Sequence, residues 1–521
     1  MKKILLSIFL GLGLLTSCDM DKAPVGALDD QNALQSVNDF ARFRNGIYNS
    51  IRSMNSGAYL YDSDIQSDQF IGLTTAGNRT GELNNGLLTP SSQDITPIYQ
   101  AMYSRIQSVN YFLGVAEAAV ATEGRFDEDQ LVDMNRYIAE AKFARGYYYY
   151  WLMDRFCQDY TPDKADTPAL GLQLVTKFEP TGDSSTYPGR STFAETLKRI
   201  NDDLTDAFNG LAAFEQVSNS ALKPQSPYIN TYIVRALQAR IALATKDYPT
   251  AATKASEVIN SGLYTLANLN NYIDMWTDNN NNEIIFKPFV DATESSAISS
   301  TAYGYISYQD DNTASYIPTM DVLFSYDWTI TPEGAIEAND VRFDAFFNIW
   351  QLNFEGDLAL GIVFFKYPGN AAIISGTDYR KTIPMPFRLS EQYLILAEAS
   401  AATAGGETAA NNALNTLRKN RIKGWTDQNY SGTALVNQIR EERGKELIGE
   451  GFRLSDLRRW GLGFQRDGDY PLSPALEDFI VPLSLSCVYT ANDYRYTWPI
   501  PTDEMEINPQ LKGQQNPGYG D

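Results

Sequence analysis

Residues 436–460, Val436 to Trp460, read VNQIREERGKELIGEGFRLSDLRRW, and this stretch decides the fold. Apolar positions at Val436, Ile439, Leu447 and Ile448, with Arg440 and Arg443 one turn apart, predict a charged helix. A Gly-Glu-Gly break at Gly449–Gly451 ends it, and Leu454–Trp460 predicts a second, short helix. Glu441 and Lys445 hold the i,i+4 spacing that supports an exposed face. Arg453, Asp456, Arg458 and Arg459 crowd a segment that still offers Phe452, Leu454, Leu457 and Trp460 for burial. Such density predicts arginine–carboxylate pairs locking a helical corner, not a solvated face.

The two ends of the chain carry patterns of their own. At the carboxyl end stand Trp498-Pro-Ile-Pro501, Glu504, Asn508-Pro509 and Gln515-Asn-Pro-Gly-Tyr519. The prolines fix extended backbone and Asn-Pro-Gly turns, so this tail is expected to lie over the body as a clasp without helix or strand. At the amino end, Met1-Lys2-Lys3 precedes Ile4–Leu15, an apolar run too short to span a bilayer, which reads as an export signal over residues 1–17. Leu15-Thr16-Ser17-Cys18 matches a lipobox, with Cys18 as the acylated residue. Several acyl chains would hold stably where one alone binds marginally. Residues 18–30 read as a tether, with Asp29 and Asp30 as caps for the helix beyond.

Taken together, the spacing ER–x–x–EL–x–x–EG–x–R–x–x–DL–R–R–W, the lipobox and the closing tail resemble the SusD/RagB family of bacterial surface lipoproteins. The resemblance runs from Cys18 to Tyr519, with Gly513-Gln514 interrupting the family's closing pattern. It implies a mainly α fold, a tetratricopeptide-like scaffold of helix pairs with a long irregular insertion containing short β-strands. It also implies a non-enzymatic lipoprotein of the outer-membrane surface that captures nutrients and delivers them to a TonB-dependent, SusC-like transporter. Asp19 and Asp21 after the cysteine resemble the surface-export signal of bacteria that carry such systems.

Periodicity supports the scaffold. Gln35–Met54, Ile98–Val120, Gln130–Phe156 and Thr192–Phe208 carry apolar residues at three- and four-residue intervals. Tyr232–Thr245 and Tyr248–Ile259 form a pair around a turn at Lys246-Asp247, and Arg388–Ala402 with Glu407–Ile422 repeats the plan. Alanines at 236, 239, 251, 252 and 255, and at 397, 399, 409, 410 and 413, let each pair approach closely. The pairs lie far apart in sequence, so the stack is expected to be assembled from discontinuous pieces. Residues 31–265 and 387–460 are assigned to the scaffold, 266–386 to a loop-rich ligand-facing region and 461–521 to the clasp. Within the scaffold, Ala139–Phe156 holds four consecutive tyrosines and a tryptophan. On a helix these rings point about 100° apart, so they read as packing and not as a flat platform.

Composition narrows the chemistry. The 521 residues include no histidine, which removes Ser-His-Asp and Cys-His catalysis and almost every zinc or iron site. Losing Lys2 and Lys3 with the signal takes the formal net charge from −22 to −24, which disfavours nucleic acid and suits neutral ligands. Cys157 and Cys487 are the thiols left after Cys18, and their spacing does not reveal whether they pair. No cofactor is expected. The turns Asp278–Glu283 and Asp310-Asp311-Asn312 offer oxygen ligands for calcium but lack EF-hand spacing, and solvated turns are the expectation.

Two stretches lack helical periodicity. Tyr59–Asp94 carries Asp62, Asp64, Asp68, Asn78, Arg79, Glu82, Asn84 and Asn85; Leu266–Tyr379 carries β-like runs at Glu283–Phe289 and Gly361–Tyr367. Tyr303, Tyr305, Tyr308, Tyr316, Tyr326 and Trp328 stand between those runs, and alternation puts Tyr303 and Tyr305 on one face of an extended segment. Sugar recognition needs rigid rings for the C–H face and polar groups around the hydroxyls. The competing role for these rings is to pack the insertion onto the scaffold. The candidate ligand residues are Asp68, Asn78, Arg79, Tyr99, Tyr303, Tyr305, Tyr308 and Trp328; Tyr99 stands where the family often has tryptophan. An oligosaccharide is the expected ligand. A peptide, as in RagB-like members, and a glycoside hydrolase built on paired carboxylates are the alternatives.

Overall fold

The computed structural model describes residues 34–74, 81–218, 222–290, 307–308, 313–332, 336–373, 381–483 and 487–520. Helices α1 (Val37–Met54), α2 (Ala58–Gln66), α3 (Gly81–Asn84), α4 (Thr96–Ala121), α5 (Glu128–Phe156), α6 (Phe193–Val217), α7 (Thr231–Ala244) and α8 (Tyr248–Ile259) form the first part, with strand β1 (Phe70–Gly72) between α2 and α3. Local chemistry sets their starts. Ser36 with Asp39, Asp127 with Gln130 and Thr192 with Glu195 form reciprocal capping boxes on α1, α5 and α6. The cap of α1 is thus Ser36; Asp29 and Asp30, like Cys18, lie outside the described residues. Helix α6 runs on past Phe208 to Val217, held along α5 through Gly210, where a Cβ would come 2.8 Å from that of Ala139.

The insertion comprises α9 (Tyr272–Thr277), β2 (Ile284–Phe286), β3 (Ser307–Tyr308), β4 (Thr313–Ala314), β5 (Tyr316–Pro318), α10 (Met320–Ser325), β6 (Trp328–Ile330), β7 (Ile336–Ala338), α11 (Val341–Phe346), β8 (Phe347–Phe354) and β9 (Asp357–Phe364). Then come β10 (Phe387–Arg388), α12 (Leu389–Ala401), α13 (Glu407–Lys419), α14 (Gly432–Glu446) and α15 (Arg453–Trp460), followed by β11 (Phe464–Gln465), α16 (Pro474–Glu477), β12 (Val488–Tyr489) and α17 (Thr502–Ile507).

Helix packing runs α4–α5–α6–α7–α8 and then directly onto α12, α13 and α14. Ala239, Leu243, Ala251 and Ala255 meet Ile395 and Ala399, so the second helix pair stacks on the first across the intervening insertion. Small side chains at that seam permit the close approach. The chain therefore has the mainly α, helix-pair architecture with an inserted segment of short strands. Tyr147 to Trp151 are all buried in the scaffold core, and Glu140 and Arg145 pair there with Arg44 and Asp203. Cys157 and Cys487 are buried free thiols.

Three expectations need correction. Tyr59–Asp94 is not free of helix: α2 hid its periodicity because Asp62, Ser63, Asp64 and Gln66 are buried beside Tyr61 and Ile65, so polar residues make up most of what it buries. The tail has secondary structure of its own, since α17 begins immediately after Pro501 within a segment clasped over the body. Of the β-like run at 361–367 only Gly361–Phe364 is strand, the end of β9, which pairs along its whole length with β8 through a turn at Glu355-Gly356, both at positive φ.

Candidate functional site

The signature stretch joins scaffold to insertion. Gly449 and Gly451 adopt φ of 75° and 79°, a left-handed conformation that frees the chain to turn between α14 and α15. The N–H of Gly451 donates to Asp64 Oδ2 at 2.8 Å, tying the break to α2. Around it lies a charge cluster of five carboxylates (Glu283, Asp340, Glu442, Glu446, Glu450) and five cations (Arg342, Lys366, Arg388, Arg418, Arg421). Arg342, Lys366 and Glu283 come from the insertion side, whereas Arg388, Glu442, Glu446, Arg418 and Arg421 come from scaffold helices and their ends. Burying such charges is costly unless each is paired and hydrogen-bonded, and here sign and number balance. A second corner holds Arg443 and Arg459 on Asp456, with Arg459 also on Glu398.

Buried charges on this scale make stability acid-sensitive. Burial pushes the Glu442 carboxyl up, but Arg342 and Arg418 outweigh it and hold it at about 2, against an ordinary 4.5. A depressed carboxylate contributes stability that is present above its unfolded value and lost as pH falls through its folded value. Urea midpoints of the wild type are therefore expected to fall between pH 4.5 and about 2. Glu442→Gln should be less stable at neutral pH and show a flatter profile across that window.

On this base the two non-periodic stretches meet. Strand β1 pairs antiparallel with β5, matching Phe70 to Pro318 and Gly72 to Tyr316. Leu73 N donates to Ser315 O at 2.9 Å, and Thr74 N donates to Phe479 O at 2.8 Å. The chain leaves β1 toward residues 75–80 from the same end at which β5 receives the chain from the β3–β4 pair. Asn78, Arg79, Tyr303 and Tyr305 lie outside the described residues; Tyr308 is in β3, opposite Thr313.

The remaining candidates separate clearly. Tyr99 is 1% exposed, donates its hydroxyl to Gln173 Oε1 at 2.7 Å and packs edge-on to Phe156, so it is a core residue. Its position one turn inside α4 faces α5, which overrides the reading taken from the family. Asp68 accepts a two-point contact from Arg453 at 2.8 and 2.6 Å, so its carboxylate is committed to fastening α2 to α15. The turn at 278–283 is solvated only in part, with Asp278, Asn280 and Asn282 exposed. Asn279 and Glu283 are fully buried, and Glu283 accepts from Arg388 and Arg421. Among the described residues there is no cluster of three or more acidic or thiol side chains suited to a metal ion.

Trp328 does reach the surface. Its ring is part-exposed and lies parallel to Phe324, with centroids 5.9 Å apart and planes 5° apart. Its Nε1 donates to Leu323 O at 2.6 Å, and its ring leans on Phe343 at 5.5 Å. Phe324 is 60% exposed, and Ile330 beside them is also exposed. Sequence reading passed over Phe324, although an aromatic four residues before a nominated tryptophan was a usable signal. Fixed rings of this kind, held from behind, can present a flat apolar face to a ligand.

Comparison with known proteins agrees with this architecture. Residues 356–519 match the profile of the SusD family, and residues 29–226 match a SusD-like family described as starch-binding and associating with the outer membrane. A SusD superfamily protein from Bacteroides thetaiotaomicron superposes over 92% of this chain and 100% of its own, with a TM-score of 0.74 and 25% identity. Another from Bacteroides fragilis aligns over 92% of this chain and 99% of its own, with a TM-score of 0.69 and 23% identity. A SusD-like carbohydrate binding protein from Bacteroides vulgatus aligns over 92% and 98%, with a TM-score of 0.71 and 20% identity. Among curated proteins, none matches the chain. With both family profiles and the whole-length fold in agreement, the chain belongs to the SusD/RagB family.

Proposed function

We propose that this protein is a lipid-anchored component of the outer-membrane surface that binds oligosaccharides and passes them to a TonB-dependent transporter, without chemistry of its own. The observation that carries the ligand class is the exposed, parallel Phe324–Trp328 pair on the insertion. Each stacked ring contributes on the order of 1–2 kcal/mol, so a short glycan would bind weakly enough to be released. A net charge of −22 on the full chain favours neutral ligands over anionic ones. The descriptions of similar proteins as starch-binding and carbohydrate binding support the same class.

In this account the charge cluster keeps the insertion rigid, the rings and nearby polar groups capture the glycan, and handover follows on docking to the transporter. A panel of neutral oligosaccharides and peptides titrated into the mature protein tests it. Glycan binding without new reducing ends is the expected result. Binding of peptides alone, or release of reducing ends, would replace this reading. Attachment is tested separately by Cys18→Ala, which should move the protein from the membrane to the soluble fraction without altering its fold.

A further inference from the structure

A cavity of about 80 Å³ lies where the ends of α1 and α2 meet α5, α7 and the segment before β10. One water needs about 10–15 Å³ by this measure, so the space suits a single small ring and no oligomer. Aromatic rings make up about a third of its walls, including Tyr59, Tyr150, Trp151, Trp276 and Tyr367. The charges on it are already matched: Arg155 with Asp154, Arg240 with Glu391, and Glu450 with Arg388 and Lys366. An ion would therefore find no complementary charge. Three lining residues nonetheless carry a buried polar atom without a hydrogen-bond partner, namely Trp276 Nε1, Thr382 Oγ1 and Arg155 Nε. Those side chains are 1%, 7% and 5% exposed. Buried donors are ordinarily satisfied, and three along one cavity point to a ligand that brings acceptors. Part-exposed Tyr59, Pro384, Met385 and Pro386 form the mouth.

We infer that this cavity is a second binding site, for one neutral monosaccharide-sized polyol, separate from the Phe324–Trp328 surface. Aromatic walls take the C–H faces of a pyranose, and the unpartnered donors take its oxygens after small side-chain adjustments. The two sites share a ligand class, but neither requires the other to be occupied.

Titration of the mature protein with free hexoses and N-acetylhexosamines tests the inference, alongside Thr382→Val, Met385→Trp and the double variant Phe324→Ala/Trp328→Ala. Thr382→Val removes the hydroxyl and keeps its shape, while Met385→Trp plugs the mouth from a part-exposed position. Monosaccharide affinity should fall at least tenfold in both cavity variants and stay within twofold in the double variant. Oligosaccharide binding should show the reverse pattern. No monosaccharide binding up to millimolar concentration, or binding that survives Met385→Trp in a protein with unchanged circular dichroism, overturns the inference. Monosaccharide binding in the absence of any oligosaccharide binding would uphold the cavity and overturn the surface reading instead.

Discussion

Glu446→Ala is expected to lower the stability of the protein by about 3–5 kcal/mol, the cost of stranding buried charge. Glu446 is fully buried; Oε1 accepts from Arg388 at 3.0 Å and Arg421 at 3.1 Å, and Oε2 from Arg342 at 3.1 Å and Arg421 at 3.0 Å. Each arginine keeps another carboxylate, so the cluster would not fall apart residue by residue. It would instead be left with one excess positive charge in a site that water does not reach. Because Arg342 belongs to the insertion and Arg388 and Arg421 to the scaffold side, the loss should also separate their unfolding. Urea unfolding followed by both fluorescence and circular dichroism should show transitions that coincide in the wild type and part in the variant. Glu441→Ala is the control. Glu441 is exposed, and its buried partner Lys445 keeps a bond to Ser325 O, so that pair is worth about 1 kcal/mol or less. A Glu446→Ala protein within 1 kcal/mol of the wild type would mean that the cluster does not hold the two parts together.

The second large effect concerns ligand binding. Losing two stacked rings at about 1–2 kcal/mol each should weaken oligosaccharide affinity roughly thirtyfold or more in Phe324→Ala/Trp328→Ala. Trp328 also donates to Leu323 O and leans on Phe343, so its removal disturbs α10 as well as the surface. Phe324→Ala alone separates the two effects. That ring is 60% exposed, so unfolding midpoints should barely move while calorimetric affinity falls about five- to tenfold. Tyr99→Phe, which alters a buried hydroxyl, should leave glycan affinity unchanged. Equal affinity in Phe324→Ala and the wild type would remove this pair from the site.

The scaffold was legible because its helices obey local rules that sequence displays directly. Tyr248–Ile259 begins and ends where the turn at Lys246-Asp247 and the apolar period place it, and the dense charges of 436–460 do form paired corners. Helix α2 was not legible, because four of the six residues it buries, Asp62, Ser63, Asp64 and Gln66, are polar and read as a loop. The interior charge of Glu283 was hidden for a related reason: its partners, Arg388 and Arg421, stand more than a hundred residues away. Composition could nominate rings but not their orientation. Tyr99 and Trp328 look equally suitable in a sequence, yet long-range packing sends one into the core and leaves the other half outside. Likewise, reading 147–151 as packing was right for each ring, but not for the cavity that Tyr150 and Trp151 help to wall.

Hydrogen–deuterium exchange of the mature protein with and without a saturating neutral oligosaccharide tests the central claim most directly. Added protection is expected in the β1–β5 junction, α10 and the β6–β7 hairpin, with the stacked scaffold helices unchanged. Protection confined to α7, α8 and α12–α14, with none on the insertion, would contradict it.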